Sequence, residues 1–518
     1  MSMTRRTAIK LLAGAFPAMK AALSCAADET VPEIQPGPFQ GAWESLKAYQ
    51  IPDWYRDAKF GIWAHWGPES APEFGDDWYA RHMYIQDKPA YKYHVQKYGH
   101  PSKFGFKDVI RTWKGDKFDP DYLVSLYKKA GAKFFVSMGV HHDNFDLWNS
   151  KHTRWNSVNM GPKKDIVGLF RQAALKHGLR FGVSDHLWIS YKWWGVSHLS
   201  DKEGPLAGVP YDGTDPKYAD LYHDIKNPSE NCDWNEVGLP PAWQKHWFLR
   251  IKDLVDQYQP DLLYCDGHLP FGELGLNLVA HFYNQNANLH GGAIEAVYTS
   301  KRKEDSDLGA CVRDVERGVP NEILPNAWQT DTCVGNWHYG KNANYKSPKT
   351  VIDMLVDIVS QNGNMLLNFP LSSSGILDDK ELKIISEITD WMAVNNEAIY
   401  ATRPWKIFGE GPNTVKKSGG EAKWNEGQRR VLTADDVRFT TKGPTLYAFF
   451  MGWPEKEACV EPLATNGKHV NGQIQNVELL GSGKVQWTQD QKGLKVQLPA
   501  EKPCNHACAL KVEGLDLS

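Results

Sequence analysis

Apart from its first residues, the 518-residue sequence lacks any apolar run of about 20 residues, the length that a membrane-spanning helix needs. It also lacks internal repeats and low-complexity tracts, which excludes a repeat architecture. Hydrophobic residues make up 42% and charged residues 23% of the chain, as in ordinary globular proteins. A chain of this length is expected to form one large domain and one smaller domain.

Cysteine is scarce, with eight residues in the whole chain. One of them, Cys25, lies in the N-terminal segment, which leaves an odd number for the rest of the chain. An odd and scattered set argues against a disulfide framework, and a large hydrophobic core does not need one. The remaining cysteines are Cys232, Cys265, Cys311, Cys333, Cys459, Cys504 and Cys508.

The chain also lacks an excess of positive charge, since it has 59 basic and 62 acidic residues. Four of the basic residues and no acidic residue lie in residues 1–27, so the remainder is more acidic than the whole chain. Binding to a phosphate backbone depends on clustered positive charge. The sequence therefore predicts that nucleic acid is not a partner.

The N-terminal residues 1–27 have the pattern of an export signal. Four basic residues surround or precede the apolar stretch 11–19. Residues 4–10 (TRRTAIK) match a twin-arginine signal, whereas residues 22–25 (ALSC) resemble a lipoprotein cleavage box only loosely. We expect a periplasmic or extracellular protein without a transmembrane segment, and a lipid anchor on Cys25 stays open.

Between about residues 58 and 395, short β-rich runs alternate with runs of helical periodicity, which is typical of parallel strands joined by crossover helices. We predict an α/β fold with a (β/α)8-like barrel of the TIM type over residues 36–397. From residue 398 onward, short β stretches separated by Gly, Pro and Asn predict a C-terminal antiparallel β-sandwich over residues 398–518. The predicted barrel strands are residues 60–64, 133–138, 180–184, 261–265, 293–298 and 364–368.

Histidines follow the first two predicted strands, at the end of the barrel where active sites lie. His65 follows the first strand, and His141 and His142 follow the second. Such imidazoles can bind sugar hydroxyls, since a neutral imidazole offers one donor and one acceptor. A metal site is the rival interpretation, but adjacent histidines in a strand point to opposite faces, and no HExxH or paired-cysteine spacing accompanies them. We therefore predict no bound metal.

Asp266 is the strongest candidate for a catalytic carboxylate. It follows the apolar run 262–265 and precedes Gly267, where the backbone can turn sharply toward a cleft. From its position alone, Asp266 could equally be an acidic cap of the following loop.

A glycosidase that retains anomeric configuration needs a second carboxyl about 5 to 5.5 Å from its nucleophile. We favour Glu316, because Arg313, Asp314 and Arg317 could set its pKa, although it could also form an ordinary surface salt bridge. Glu322 is the reserve candidate. The acidic residues considered after Asp266 are Glu273, Glu295, Glu304, Glu316 and Glu322.

Several long segments resemble the α-L-fucosidases of glycoside hydrolase family 29, from about residue 40 to the C-terminus. Residues 59–67 (KFGIWAHWG) are similar to that family's KFGIFIHWG segment. Residues 130–133 (AGAK) with 141–148 (HHDNFDLW) resemble its AGAKY…KHHDGFxLW block, and residues 362–368 (NGNMLLN) match a further segment. Two long segments at matching spacing make the resemblance specific.

The resemblance implies a retaining exo-acting hydrolase that releases terminal α-L-fucose from an oligosaccharide or polysaccharide without a cofactor. Asp266 matches the family's nucleophile, and Trp337 stands where an aromatic residue lines the pocket for the fucose methyl group. Glu316 is then the acid/base, with Glu322 in reserve. The positions that match sugar-binding residues are His65, Asp77, Trp78, His141 and His142.

Three segments depart from the family pattern. Tyr264-Cys265 replaces the usual Trp-Asn or Trp-Phe before the nucleophile, and Ser184-Asp185-His186 stands where a Tyr is common. Since these changes surround the sugar, we also expect Tyr264, Asp185 and His186 to contact it, with Asp185 and His186 able to bind an extra hydroxyl. The third departure is Trp328-Gln329 in place of Trp-Glu. Two alternatives stay open: an exo-α-L-galactosidase, since L-galactose is fucose with a hydroxyl on the methyl carbon, and a carbohydrate-binding protein without activity.

Overall fold

The computed structural model describes residues 32–320, 322–414, 426–455 and 458–517. Residues 35–518 form one compact unit. The predicted export signal, residues 1–27, lies outside the described residues. The predicted boundary between the barrel and the sandwich falls at the 3-10 helix Asn396–Ala398 and remains a prediction.

Eight parallel strands form the predicted barrel, which confirms the fold class. In the sheet the strands follow the order β6-β5-β4-β3-β2-β1-β8-β7. All strand pairs in this sheet run parallel, and the residues of β1, β2, β4, β5, β7 and β8 are all buried. These strands are β1 (Phe60–Ala64), β2 (Phe134–Val140), β3 (Arg180–Asp185), β4 (Leu262–Cys265), β5 (Val297–Ser300), β6 (Val312–Arg313), β7 (Trp328–Cys333) and β8 (Gly363–Asn368).

In the described residues, helices lie before β1, between the barrel strands and after β8. None of them is long and apolar enough to be a membrane span. Several start at side-chain caps that satisfy the first free N–H groups: Asp119 caps α6, Asp165 caps α7, Ser347 caps α13, and Asp378 with Glu381 forms a capping box on α14. The helices are α1 (Trp43–Leu46), α2 (Asp53–Ala58), α3 (Tyr79–His82), α4 (Pro89–Tyr98), α5 (Phe106–Thr112), α6 (Pro120–Lys129), α7 (Ile166–Lys176), α8 (Ser190–Trp193), α9 (Ala219–Tyr222), α10 (Pro241–Tyr258), α11 (Glu273–Leu289), α12 (Lys303–Asp307), α13 (Pro348–Ser360) and α14 (Asp379–Asn395).

The barrel interior is filled by alternate side chains of the strands. Phe134 and Val136 of β2, Leu262 and Tyr264 of β4, and Trp63 of β1 belong to one buried cluster. Full burial of a large apolar side chain contributes about 1.5–3 kcal/mol, so this layer is a major source of stability. This layer also packs beneath the residues at the strand ends.

Between β6 and β7 the described residues form no helix. Asp314 and Gln329 form an isolated parallel bridge, and the N–H groups of Val315 and Arg317 donate to the carbonyls of Gln329 and Asp331 over 2.9 Å each. The chain therefore continues from β6 along the edge of β7 before it leaves the barrel wall. Glu316 lies within this stretch.

The C-terminal region consists of two antiparallel sheets, as predicted. The six-stranded sheet has the order β14-β13-β17-β11-β10-β9, and the three-stranded sheet has the order β12-β16-β15. Apolar side chains from both sheets, including Phe439, Leu446, Val477, Val496 and Leu510, form one buried core. The strands are β9 (Arg403–Glu410), β10 (Val437–Lys442), β11 (Thr445–Phe450), β12 (Ala458–Val460), β13 (Gly472–Leu479), β14 (Gly483–Lys484), β15 (Gln486–Asp490), β16 (Gly493–Gln497) and β17 (Cys508–Leu515).

Candidate active site

A cavity of about 520 Å³ opens at the C-terminal ends of the barrel strands. Its walls combine imidazoles and indoles with carboxylates and a single lysine. Side chains of this kind come together only because the ends of parallel strands meet at one mouth of the barrel. The lining residues are Trp63, His65, Asp76, Asp77, Trp78, His82, His141, His142, His186, Trp234, Tyr264, Asp266, Gly267, Lys301, Glu316, Asp331 and Trp337.

The backbone around Asp266 is held on both sides. Its N–H donates to the carbonyl of Asp185 over 2.9 Å, and its carbonyl accepts from Trp188 Nε1 over 2.7 Å. Gly267 has a φ of 137°, and a Cβ at this position would lie 2.9 Å from Trp188 Nε1. Only glycine fits this turn, which directs the Asp266 side chain into the cavity.

The Asp266 carboxylate is surrounded by positive and polar groups. Lys301 Nζ donates to Oδ1, while His142 Nε2 and His186 Nδ1 each lie 3.2 Å from Oδ2. Burial would raise the pKa of Asp266, but Lys301 and His186 outweigh it and bring the pKa well below its ordinary value. Asp266 is therefore ionised and directed at the cavity, as a nucleophile has to be.

Glu316 is a second carboxyl in direct contact with Lys301. Its Oε2 accepts from Lys301 Nζ over 2.6 Å. One ammonium thus contacts both Asp266 and Glu316, which sets the two carboxyls within about two hydrogen-bond lengths, a spacing that fits retaining glycosidases (about 5–5.5 Å) better than inverting ones (about 6.5–9.5 Å).

Glu316 differs from Asp266 in its protonation. Burial raises the pKa of Glu316 to about 7 against the opposing effect of Lys301, and the charges of Asp331 and Asp266 add to the rise. A proton is therefore present on Glu316 at neutral pH in a substantial share of the molecules. The two carboxyls that contact Lys301 thus differ in form: Asp266 is ionised, and Glu316 carries a proton.

Asp331 is a further acidic residue near Lys301. Tyr264 donates its hydroxyl proton to Asp331 Oδ2 over 2.7 Å, and Lys301 Nζ is 3.9 Å from the same oxygen. Burial and the neighbouring charge of Asp331 raise the pKa of Asp314 well above its ordinary value, and Gln329 donates to Asp314 over 2.8 Å. Asp331 thus supplies the negative charge that opposes ionisation of both Asp314 and Glu316.

Histidines form another part of the cavity wall. The ring centroid of His186 is 5.4 Å from that of His65 and 5.0 Å from that of His141. Burial lowers the pKa values of these three imidazoles, and it lowers that of His338 to about 3. These rings are neutral at physiological pH and can serve as uncharged donors and acceptors to hydroxyl groups.

His141 and His142 both reach the cavity, with ring centroids 4.6 Å apart. The expectation that adjacent histidines face opposite sides was wrong, because both follow the last residue of β2 and no longer obey the alternation of a strand. His141 Nδ1 lies 2.6 Å from Glu69 Oε1, and His142 Nδ1 donates to the carbonyl of His186 over 2.6 Å. These contacts leave Nε2 of His141 for other partners, whereas Nε2 of His142 faces Asp266 Oδ2.

Three sets of nitrogen and oxygen atoms in this wall are close enough to hold a cation. Their ligand atoms lie within 4.8 Å of one another. All three sets use His141 or His186, so a cation there would compete with a sugar for the same ring nitrogens. The sets are His65 with His141 and His186, Glu69 with His141 and His338, and His142 with His186 and Asp266.

Asp77, Trp78 and Trp337 line one rim of the cavity, as the family resemblance implied. The N–H of Trp337 donates to Asp77 Oδ1 over 2.7 Å, which connects the loop after β7 to the segment before α3. Burial raises the pKa of Asp77 to about 6, although N–H bonds from Trp337 and His338 oppose the shift.

Two predicted residues lie elsewhere. Asp185 is buried behind the cavity wall, where its carboxylate accepts from the N–H of Leu187 over 2.7 Å and from Trp247 Nε1 over 2.9 Å, so its position does not support direct contact with a sugar. Glu322 is exposed and lines a different cavity together with Arg313. Only Glu316 of the two acid/base candidates faces Asp266.

Sequence reasoning missed Lys301, Asp331, Trp63 and Trp234. Lys301 directly follows β5, but the predicted strand ended two residues too early to reveal it. Asp331 lies within β7, whose sequence WQTDTC has no apolar run to mark it as a strand. A strand-end lysine between two acidic candidates would have been the available signal.

Two family models match the chain. One described as alpha-L-fucosidase covers residues 26–397, and one described as alpha-L-fucosidase C-terminal domain covers residues 429–513. The chain is 26% identical to mouse tissue alpha-L-fucosidase over 485 residues, which covers 91% of this chain and 92% of the mouse protein. Human plasma alpha-L-fucosidase is also 26% identical, with 92% and 93% covered.

Solved structures show the same fold. The crystal structure of Thermotoga maritima alpha-fucosidase in complex with fucose has a TM-score of 0.69 at 24% identity and covers 92% of this chain and 100% of that one. A Bacteroides thetaiotaomicron alpha-L-fucosidase trapped as a covalent intermediate has a TM-score of 0.60 at 19% identity, with 90% and 96% covered.

Proposed function

This chain belongs to the α-L-fucosidase family of glycoside hydrolases, and we propose that it releases terminal α-L-fucose from glycans by a retaining double displacement. The main support is the contact of a single ammonium, Lys301 Nζ, with both the ionised Asp266 and the protonated Glu316. This arrangement supplies the two carboxyl groups, in opposite protonation states, that the reaction needs.

In the first step, Asp266 attacks the anomeric carbon while Glu316 gives its proton to the departing glycosidic oxygen. The C–O bond to the leaving sugar breaks as the ester bond to Asp266 forms. In the second step, Glu316 takes a proton from water, the water oxygen attacks the anomeric carbon, and Asp266 leaves. Two inversions at one carbon retain its configuration.

The change in role of Glu316 follows from electrostatics. The negative charge of Asp266 is one cause of the raised pKa of Glu316. Once Asp266 is esterified, that charge is gone and the pKa of Glu316 falls, so the group that acted as an acid becomes a carboxylate able to act as a base.

The first anomer released is the direct test. We expect ¹H NMR of the reaction on an aryl α-L-fucoside to detect α-L-fucose before mutarotation produces the β-anomer. Initial release of β-L-fucose would contradict retention. Absence of turnover on any α-L-fucoside or α-L-galactoside would instead favour a carbohydrate-binding protein without activity.

An exo-α-L-galactosidase remains the second candidate, because a carboxyl lies beside the aromatic ring that matches the methyl pocket. Asp77 lines the cavity and is bonded to the backbone of Trp337. Its second oxygen could accept from a hydroxyl on C6 of the sugar, where fucose carries only hydrogen. Side-by-side kcat/KM values on the nitrophenyl α-L-fucoside and α-L-galactoside decide between the two, and Asp77→Ala should change the galactoside value more if that hydroxyl is bound.

We further propose that residues 1–27 direct export through a twin-arginine route to the periplasm or beyond. The paired Arg5 and Arg6 before an apolar stretch support this, and they lie outside the residues that the structure describes. Replacement of both by Lys should keep the protein in the cytoplasmic fraction. Labelling of Cys25 by a radioactive fatty acid would reveal a lipid anchor in place of a free exported form.

A further inference from the structure

Two cysteines in the C-terminal sheets have sulfur atoms in contact. Cys504 Sγ lies 3.7 Å from Cys508 Sγ, and both residues are free thiols. Cys508 is the first residue of β17, and Cys504 lies in the turn that leads into it. A disulfide bond is about 2.05 Å long, so the two sulfur atoms need to approach by only about 1.7 Å to bond.

The two thiols are not equivalent. Asn395 Nδ2 donates to Cys504 Sγ over 3.3 Å, and the Cys508 thiol is placed to donate to the same sulfur. The hydrogen bond from Cys508, reinforced by Asn395 and opposed by burial, lowers the pKa of Cys504 to about 7. The contact with Cys504 and burial raise the pKa of Cys508. Cys504 is thus the more readily ionised of the two thiols, and the thiolate is the nucleophilic form.

The two sulfur atoms also differ in accessibility, and Cys504, whose pKa is lower, is the more accessible one. Cys504 lines a surface cavity of about 240 Å³ together with Glu387, Asp390 and Lys502. Cys508 is only 2% exposed and belongs to the apolar core of the C-terminal sheets. A reagent from solution therefore meets Cys504 first, and Cys508 can react only with its neighbour.

We propose that Cys504 and Cys508 form a redox-active dithiol that a small organic disulfide converts into an intramolecular disulfide. The Cys504 thiolate attacks one sulfur of the reagent, whose S–S bond breaks and releases one thiolate. Cys508 then loses its proton and attacks Cys504 Sγ, and the second thiolate leaves. The two protein thiols are oxidised, one external disulfide is reduced to two thiols, and the protons pass to those thiols.

The turn that carries the pair also holds the C-terminal sheets against the barrel. Trp391 Nε1 of α14 donates to the carbonyl of Ala507 over 2.7 Å, and His506 Nε2 lies 3.0 Å from Glu387 Oε2, also of α14. A bond between Cys504 and Cys508 closes a short loop around these contacts. Because a crosslink restricts the unfolded chain, the oxidised protein should have the higher thermal midpoint.

Peptide mapping of the full chain tests the proposal directly. Trypsin cleaves after Lys495 and Lys511 but not between Lys502 and Pro503, so the peptide 496–511 contains both cysteines and no other. The protein is incubated with oxidised glutathione or with dithiothreitol, unfolded, and blocked with N-ethylmaleimide. After oxidation the peptide should be lighter than the reduced form by two hydrogen atoms and carry no maleimide. Two maleimides on that peptide after oxidation would overturn the proposal.

Single variants test the order of attack. Cys508→Ser should retain one glutathione on residue 504, because no second thiol displaces it, whereas Cys504→Ser should leave Cys508 unmodified in the folded protein. Cys232→Ser, which removes another half-buried thiol, is the matched control and should behave as the parent chain. Glutathione on Cys508 in the Cys504→Ser variant would contradict the assignment of Cys504 as the entry point.

Thermal unfolding tests the structural consequence without any variant. The midpoint of the oxidised parent chain should fall when dithiothreitol is added, and the Cys504→Ser/Cys508→Ser variant should show no such fall. A midpoint that does not change with oxidation would refute the predicted stabilisation by the crosslink, even if the disulfide forms.

Discussion

In one region of the cavity, His65, His141 and His186, which follow β1, β2 and β3, are buried and neutral, whereas in the other region Asp266 and Lys301, which follow β4 and β5, carry charge. Burial acts on both sides, but the partners differ. Beyond burial, His186 and His338 lower the pKa values of both His65 and His141, whereas Lys301 lowers the pKa of Asp266 against the effect of burial. Neutral imidazoles that can bind sugar hydroxyls and an ionised carboxylate can therefore lie in the same cavity.

Loss of the nucleophile should have the largest effect. Asp266→Gly is expected to lower kcat by at least about a thousandfold, because the covalent intermediate can no longer form. Azide should restore some turnover and give a fucosyl azide of inverted configuration, since it enters from the face that Asp266 occupied. Asp266 is only 16% exposed and belongs to an ion-pair network, so the effect of its loss on stability has to be separated from the effect on kcat. For this purpose the thermal midpoint of Asp266→Gly is compared with that of Asp266→Asn. A variant that folds and retains turnover would exclude Asp266 as the nucleophile.

Loss of the acid/base should be smaller and should depend on the leaving group. Glu316→Ala is expected to lower kcat/KM by about a hundredfold or more on a disaccharide, but less on a nitrophenyl fucoside, whose leaving group needs little protonation. Azide should yield a fucosyl azide of retained configuration. Glu322→Ala, a change at an exposed glutamate, is the control. Azide rescue in the Glu322 variant alone would transfer the role to Glu322.

Removal of the cation should shift the pH profile. The reaction requires ionised Asp266 and protonated Glu316, so kcat/KM of the parent chain should fall as the pH rises through about 7, the pKa of Glu316. Lys301 lowers the pKa of both groups, so in Lys301→Met both limbs of the profile should move to higher pH. Lys303→Met, at a half-exposed lysine paired with Asp307, should leave the profile unchanged. Superimposable profiles of Lys301→Met and the parent chain would contradict this electrostatic role.

A change in the neutral wall should have the smallest effect. His141→Asn is expected to raise KM about tenfold, roughly the loss of one hydrogen bond, with a lesser effect on kcat. Because burial keeps His141 neutral, the ratio of variant to parent KM should stay constant between about pH 5 and 8. His177→Asn is the control, because His177 pairs with Asp121 and does not line the cavity. A ratio that follows a titration near pH 6.5 would show that His141 binds as a cation.

The sequence was most informative where strands are apolar. The predicted strand 60–64 coincides with β1, and those at 180–184 and 261–265 differ from β3 and β4 by one residue at one end. These strands are buried on both faces and therefore read as continuous apolar runs. β6 was missed because it has two residues, and β7 because its buried side chains are polar and serve the site.

The site was predictable in its outline but not in its electrostatics. Asp266, His65 and Glu316 follow strands or lie near other charges in the sequence, so the barrel fold was enough to bring them together. The role of Lys301 depends on a strand register that periodicity does not give. Asp185 was expected to face the sugar, but the turn into Leu187 and the indole of Trp247 bind its carboxylate inside the wall.

The position of Lys301 between two carboxyls has a consequence for the whole reaction cycle. In the free protein the negative charge resides on Asp266 and the proton on Glu316. In the covalent intermediate of the proposed reaction, Asp266 is a neutral ester and Glu316 is ionised. The ammonium therefore balances one unit of opposite charge at each stage, on alternate sides of itself. The total charge of Lys301, Asp266 and Glu316 is therefore the same at both stages, without any ion entering or leaving the barrel mouth.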